Sequence, residues 1–197
     1  MGVEVEAKLD PPGFYPAGGG RIAAMIESVV QLKGIDLLER GSICRRGARA
    51  VLAKLPQHIA DRELKVIASE LGWGEQCLQA EVLKNSRGPG SYVAIEIESD
   101  AVTEVFTGFG QPGAPAEVVA GQVTKPCSRY LNADNVSVGE HLADQLLLLL
   151  ALAGPGSCRT LPLSRHTTTH IELIEQFLEI KVEVQQQDDS VLVNVGR

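Results

Sequence analysis

The feature that most constrains this 197-residue chain is an unbroken run of eight apolar residues, Leu146 to Ala153, directly after Ser137-Val-Gly-Glu-His-Leu-Ala-Asp-Gln145. Such a run calls for complete burial, yet it is far too short to span a bilayer. Ser137-x-x-Glu140 reads as a capping box and Gly154-Pro155-Gly156 as a stop, which predicts a helix over 138–153. Its entry is polar. His141, Asp144 and Gln145 stand at i, i+3 and i+4, a spacing that projects all three from one helix face. A charged and an amide side chain leading into so apolar a helix are costly unless they find partners. Asp144 can hold a hydroxyl or an amine and Gln145 can donate and accept, but pairing with neighbouring backbone is equally open.

A second polar segment follows, Ser164-Arg-His-Thr-Thr-Thr-His170. Thr169-x-x-Glu172 reads as another capping box, opening a helix with Ile171, Ile174, Phe177 and Leu178 turned inward. On this reading His166 lies in a loop, three residues ahead of the cap. A neutral imidazole there is a competent nucleophile near pH 7. A phosphate beside it would meet free backbone N–H groups and the positive end of the helix dipole. The plain alternative is a loop histidine with one satisfied hydrogen bond. Ser164, Arg165 and Thr167 to Thr169 are phosphate candidates only by nearness, and His170 reads as a local hydrogen-bonding residue.

The rest of the chain alternates short strands with two further helices. Val3, Val5 and Ala7 set the period of a half-buried strand, as do Ile22, Ala24 and Ile26 within 21–29. Between them Phe14-Tyr-Pro-Ala-Gly-Gly-Gly20 is a turn: no GK[ST] follows and no helix opens, so a phosphate loop is excluded. Strands are expected over 42–53, 76–83, 92–98 and 102–106. One helix is expected over 57–71, stopped by Gly72, and another opens at Pro115 and is cut short by Pro126. Trp73, just past the first helix, reads as a packing anchor. Ile180–Val184 and Val191–Val195 close the chain as a hairpin around Asp188-Asp189.

Charge and cysteine usage narrow the function classes. A net charge of −7 argues against broad duplex binding, which runs on phosphate neutralisation, though not against a grip on one RNA end. Arg45, Arg46 and Arg49 form the densest basic cluster and read as a solvated strand face. Four scattered cysteines without a CxxC pair suit a reduced, cytoplasmic protein, and the N-terminus has no signal layout.

Taken in order, Phe14-Tyr-Pro-x-Gly-Gly-Gly20, Glu104-Val-Phe-Thr-x-Phe-Gly110, Glu140 to Gln145 and His166 resemble the RNA 3'-terminal phosphate cyclase family. The resemblance implies an α+β fold: a sheet-and-helix cyclase-type domain, here partial, from residues 1–38 and 134–197, interrupted by a small α+β insert domain over 39–133. It implies that His166 takes AMP from ATP, with His141, Asp144 and Gln145 contacting adenosine. AMP then passes to an RNA 3'-phosphate, and the neighbouring 2'-hydroxyl expels it to leave a 2',3'-cyclic phosphate. ATP, an RNA 3' end and a divalent metal (Mg or Mn) are the implied cofactors and partners, with no protein metal ligand and no membrane. Family members are nearly twice this length, and the chain corresponds to about their second half. A fragment, a split-gene product and a degenerate relative are therefore all compatible with it. A non-catalytic relative that binds RNA or assists ribosome assembly is the alternative, against which His166 counts.

Overall fold

The computed structural model describes residues 1–134 and 136–196. In chain order its elements are β1 (Val5–Leu9), β2 (Ile22–Ile26), β3 (Asp36–Leu37), β4 (Ile43–Ala53), α1 (His58–Leu71) and β5 (Leu78–Leu83), with a single 3-10 turn at Glu75–Cys77 before β5. There follow β6 (Gly90–Ser99), β7 (Thr103–Phe109), α2 (Ala116–Asn132), α3 (Glu140–Ala153), β8 (Gly156–Thr160), α4 (Arg165–Phe177), β9 (Lys181–Gln187) and β10 (Ser190–Gly196). The mixed helix and sheet content is that of an α+β protein. Among the described residues three sheets form, ordered β1-β2, β3-β8-β10-β9 and β5-β4-β6-β7.

The β5-β4-β6-β7 sheet is explained by period-two burial. In β6 Val93, Ile95 and Ile97 are buried and alternate with half-buried residues, and Ala50 and Ala48 of β4 pair opposite Val93 and Ile95 on the same face. Against that face pack Ala60, Leu64 and Ile67 of α1 and Val119, Val123, Cys127 and Tyr130 of α2, with Trp73 in the same cluster. The other face carries Arg45, which bridges to Glu96 and Glu98, and Arg49, 3.6 Å from Glu81. The arginine cluster is thus a salt-bridged strand face, with Arg46 turned the other way over the Trp73 ring at 5.5 Å.

Pro126 does not end α2, contrary to the sequence expectation. The helix continues to Asn132 because Val123, Cys127 and Tyr130 hold it to the sheet on both sides of the proline. That packing outweighs a penalty of about 3 kcal/mol. Arg40 then donates to the carbonyls of Tyr130 and Leu131 at 2.8 and 3.2 Å, serving the exposed end of the helix.

A second core forms where α3 and α4 meet the β3-β8-β10-β9 sheet, from Ala143, Leu147, Leu150, Cys158, Ile171, Ile174, Val191, Val193 and Val195 among others. Two short elements missing from the sequence reading, β3 and β8, complete this sheet and run parallel to each other.

The half-buried reading of β1 and β2 fails. Val5 pairs with Ile26, Ala7 with Ala24 and Leu9 with Ile22, which gives the hairpin one wholly apolar face. Yet every residue of both strands is exposed, Ile22 to 74%. The apolar run from Leu146 to Ala153, expected to be wholly buried, is likewise only half covered. Leu147, Leu150 and Ala151 are buried, whereas Leu148, Leu149 and Leu152 face outward.

Candidate active site at the junction of two helices

Neither helix begins as its sequence suggested. Ser137 does not cap α3. Its hydroxyl donates to the carbonyls of Leu37 and Arg159, because the segment is drawn beside β8, where Val138 bridges to Thr160. The α3 cap position is Gly139, and the group that serves it is distant in sequence: Oε2 of Glu104, in β7, accepts the Gly139 N–H at 2.8 Å. A Cβ at Gly139 would lie 2.7 Å from Glu104 Oε1, so only glycine admits the carboxylate this close. Burial pushes the Glu104 carboxyl up to about 7, and the Gly139 N–H opposes that shift. Glu104→Ala is expected to cost about 1–3 kcal/mol by leaving a buried N–H unpaired. Glu104→Gln, whose amide oxygen can still accept, should cost clearly less. Urea unfolding of both variants at pH 5, where the buried carboxyl is still protonated, reads the difference, and equal costs would mean that the hydrogen bond contributes nothing.

His166 is not a loop residue. α4 begins four residues earlier than Thr169, because Ser164 caps it by accepting the Thr167 N–H at 3.1 Å. His166 therefore sits inside the first helical turn rather than in a loop, with its side chain exposed. The Arg165 and His166 N–H groups fall among those a helix start leaves without intrahelical partners. The threonines are less available than their nearness suggested. Thr167 is buried with its hydroxyl 2.9 Å from that of Ser164, and the Thr168 hydroxyl donates back to the Arg165 carbonyl at 3.0 Å.

Asp144 finds a side-chain partner rather than backbone. Its Oδ1 lies 3.0 Å from His170 Nδ1, across the α3–α4 contact, with both side chains about one-third exposed. With the carboxylate accepting, Nδ1 carries the hydrogen and Nε2 is left for another partner. His170 follows His166 by four residues, one turn along the same face of α4. The junction thus groups Asp144, His166 and His170. His141 and Gln145 are exposed on the outer side of α3. The Asp144–His170 pair spans 26 positions, and only the packing of α3 on α4 brings it together. No spacing rule finds it.

Two surface depressions lie elsewhere. One, of about 490 Å³, runs between α1 and α2 beside Thr124 and Arg129; the other, of about 430 Å³, lies on the β4–β6 sheet face. Neither touches the α3–α4 junction. Among the described residues no three His, Cys, Asp or Glu side chains come together as a metal site. No helix among the described residues is long and apolar enough to cross a membrane.

Comparison with known proteins gives a consistent picture. A family model described as RNA 3'-terminal phosphate cyclase matches residues 1–184. The chain is 43% identical over 193 residues to the RNA 3'-terminal phosphate cyclase of Koribacter versatilis, covering 98% of this chain and 54% of that protein. It is 40% identical over 196 residues to the same-named protein of Salmonella typhimurium, covering 100% and 57%. The chain spans little more than half the length of the curated relatives it matches.

Proposed function

The chain belongs to the RNA 3'-terminal phosphate cyclase family, and from that membership we propose that it carries the adenylate-accepting part of an ATP-dependent RNA 3'-phosphate cyclase. Residues 39–133 would be an inserted module and 1–38 with 134–197 the cyclase-type portion, acting in the cytoplasm on RNA 3' ends. His166 attacks the α-phosphorus of ATP through an unprotonated ring nitrogen, forming a P–N bond while pyrophosphate departs. The imidazole proton is lost, and AMP is held on His166. A 3'-phosphate oxygen of the RNA then attacks the same phosphorus, the P–N bond breaks and the histidine is restored. Finally the adjacent 2'-hydroxyl attacks the activated 3'-phosphorus, AMP leaves, and a 2',3'-cyclic phosphate results.

One observation carries this reading. His166 stands exposed in a capped first helical turn, where unpaired N–H groups and the helix dipole favour a phosphate. One turn on, His170 is held by Asp144, which ties the nucleophile's helix to the helix bearing His141 and Gln145. No step is assigned to a metal. Incubation with ATP labelled at the α-phosphate should leave acid-labile, hydroxylamine-sensitive label on the protein. Absence of label from the chain, alone and when co-produced with the part of the K. versatilis relative that it does not match, would refute the proposal.

Asp144→Ala and Gln145→Ala are expected to weaken nucleotide binding rather than the chemical step. Loss of one or two hydrogen bonds to adenosine is worth about 1–3 kcal/mol when a buried partner is left unpaired. The signature is a raised ATP requirement, with adenylation recovering at saturating ATP. Asp144→Ala also frees His170, so a KM effect shared by His170→Ala would assign that part of the loss to the pair. Unchanged ATP binding with early melting would make both residues structural.

A further inference from the structure

Thr124 of α2 is wholly buried, and its hydroxyl has no hydrogen-bond partner among the described residues. A helical threonine ordinarily returns that hydroxyl to a carbonyl three or four residues back. Thr124 does not, and a buried hydroxyl left unpaired costs stability. The residue lines the depression of about 490 Å³ between α1 and α2. The two helices are tied near their starts by Arg62 and Glu117 at 2.6 Å, and the depression lies further along both. Its other walls are Glu70 of α1 and Lys125, Ser128, Arg129 and Asn132 of α2. Thr124, Ser128 and Asn132 recur every four residues, with Lys125 and Arg129 in the adjacent row, so all five project to one side of α2.

The lining offers both cations and acceptors. Lys125 is exposed and, among the described residues, in no salt bridge. Arg129 stands 3.9 Å from Glu140, too far for a hydrogen bond, and keeps its donors. A basic residue in the last turn of a helix also answers the dipole, which accounts for Arg129 but not for Lys125, two turns from the end of α2. Side chains one turn apart can close on a single phosphate. Asn132 donates to Ser128 Oγ at 3.2 Å, which leaves Asn132 Oδ1 as an acceptor and the Ser128 hydroxyl as a donor. Glu70 is a second acceptor. A bare phosphate satisfies neither acceptor, whereas sugar hydroxyls satisfy both. We propose that this groove binds a phosphorylated ribose, with its phosphate on Lys125 and Arg129 and its hydroxyls on Asn132 and Glu70. A helical threonine has two χ1 rotamers, so a ligand seated there can draw the Thr124 hydroxyl out to meet it. An RNA strand is one source of such a unit and a free nucleotide is the other. The groove lies outside the α3–α4 junction, and its occupancy does not depend on whether His166 accepts AMP.

The test is fluorescence anisotropy of the full chain with a short labelled oligoribonucleotide that ends in a 3'-hydroxyl. No ATP is present, so a failure of His166 to accept AMP leaves the measurement untouched. Saturable binding is expected. Lys125→Ala and Arg129→Ala should each weaken it on the order of tenfold and each flatten the plot of log Kd against log salt by about 0.7. Thr124→Val keeps the shape and removes only the unpaired hydroxyl, so it should weaken binding about threefold while melting no lower than the parent. The deoxyribose strand of the same sequence should bind on the order of tenfold more weakly, because it lacks the 2'-hydroxyl. Displacement of the oligonucleotide by AMP in the parent would support the site with a free nucleotide as its source. Saturable RNA binding that AMP does not displace would support it with the strand as its source. Binding indifferent to the three substitutions would overturn the proposal. Equal affinity for the deoxyribose strand, or displacement by inorganic phosphate as effective as by AMP, would do the same. So would the absence of binding by both RNA and AMP.

Discussion

His166→Ala is expected to lower covalent AMP labelling on the order of 10³-fold or more while leaving the melting temperature within a degree or so of the parent. The asymmetry follows from position. The side chain is exposed in the first turn of α4, and Ser164 and Thr167, which hold that turn, are untouched by the substitution. Almost no packing is lost, yet no neighbour can supply a ring nitrogen at the same place. His170 is one turn away and its Nδ1 is engaged with Asp144. His166→Asn should behave like the alanine variant, since an amide nitrogen is no nucleophile. Undiminished labelling of His166→Ala would overturn the assignment and direct attention to His170 or His141.

The second large effect lies far from this site. Glu63, on α1, is fully buried, and neither of its carboxyl oxygens has a hydrogen-bond partner. Burial pushes its pKa from 4.5 to about 7. The fold therefore binds a proton there that the unfolded chain has released. Stability is fully present below pH 4.5, falls between about 4.5 and 7, and is lost once the folded carboxyl ionises. At about 1.4 kcal/mol per pKa unit the loss approaches about 3 kcal/mol by pH 8. Glu63→Met, of similar volume and without polar atoms, should be more stable than the parent, and its advantage should widen by about 2.5 kcal/mol from pH 5 to pH 8. Glu104, raised to a similar value, leaves a residual slope of the same sign in the variant. Urea midpoints at pH 5, 7 and 8 measure this. An advantage that stays constant with pH would show that Glu63 is not the titrating group.

Where the sequence carried local signals it located the elements well. The alternation of β6, the Gly72 stop of α1 and the Gly154 stop of α3 were all readable, because each is set by neighbours within one or two turns. Most of the errors share a cause: a distant group won against a local rule. Ser137 has the sequence of a cap but is claimed by the carbonyls of Leu37 and Arg159, and Glu104 serves α3 from another sheet. At α4 the competition is local: Ser164 reaches the helix start first, and the Thr169-x-x-Glu172 pattern falls inside the helix. The candidate residues themselves were legible by order along the chain. The Asp144–His170 contact was not, since it exists only once two helices have packed. The exposure of Leu148, Leu149 and Leu152 was illegible for the opposite reason: the leucines ask for burial that these residues alone do not provide.

The hydrogen bond between Glu104 and Gly139 also bears on how sequences of this kind can diverge. The space beside the α3 start is filled by one carboxylate, so the two positions are not free to drift independently. A β-carbon at 139 demands a shorter acid at 104, and a neutral, short residue at 104 opens a place that only a new donor-satisfying group can fill. Exchange of the β4–α2 segment between relatives would carry the helix cap across with it. Chimaeras should be viable when residues 104 and 139 come from the same parent and handicapped when they do not, however similar the parents are elsewhere.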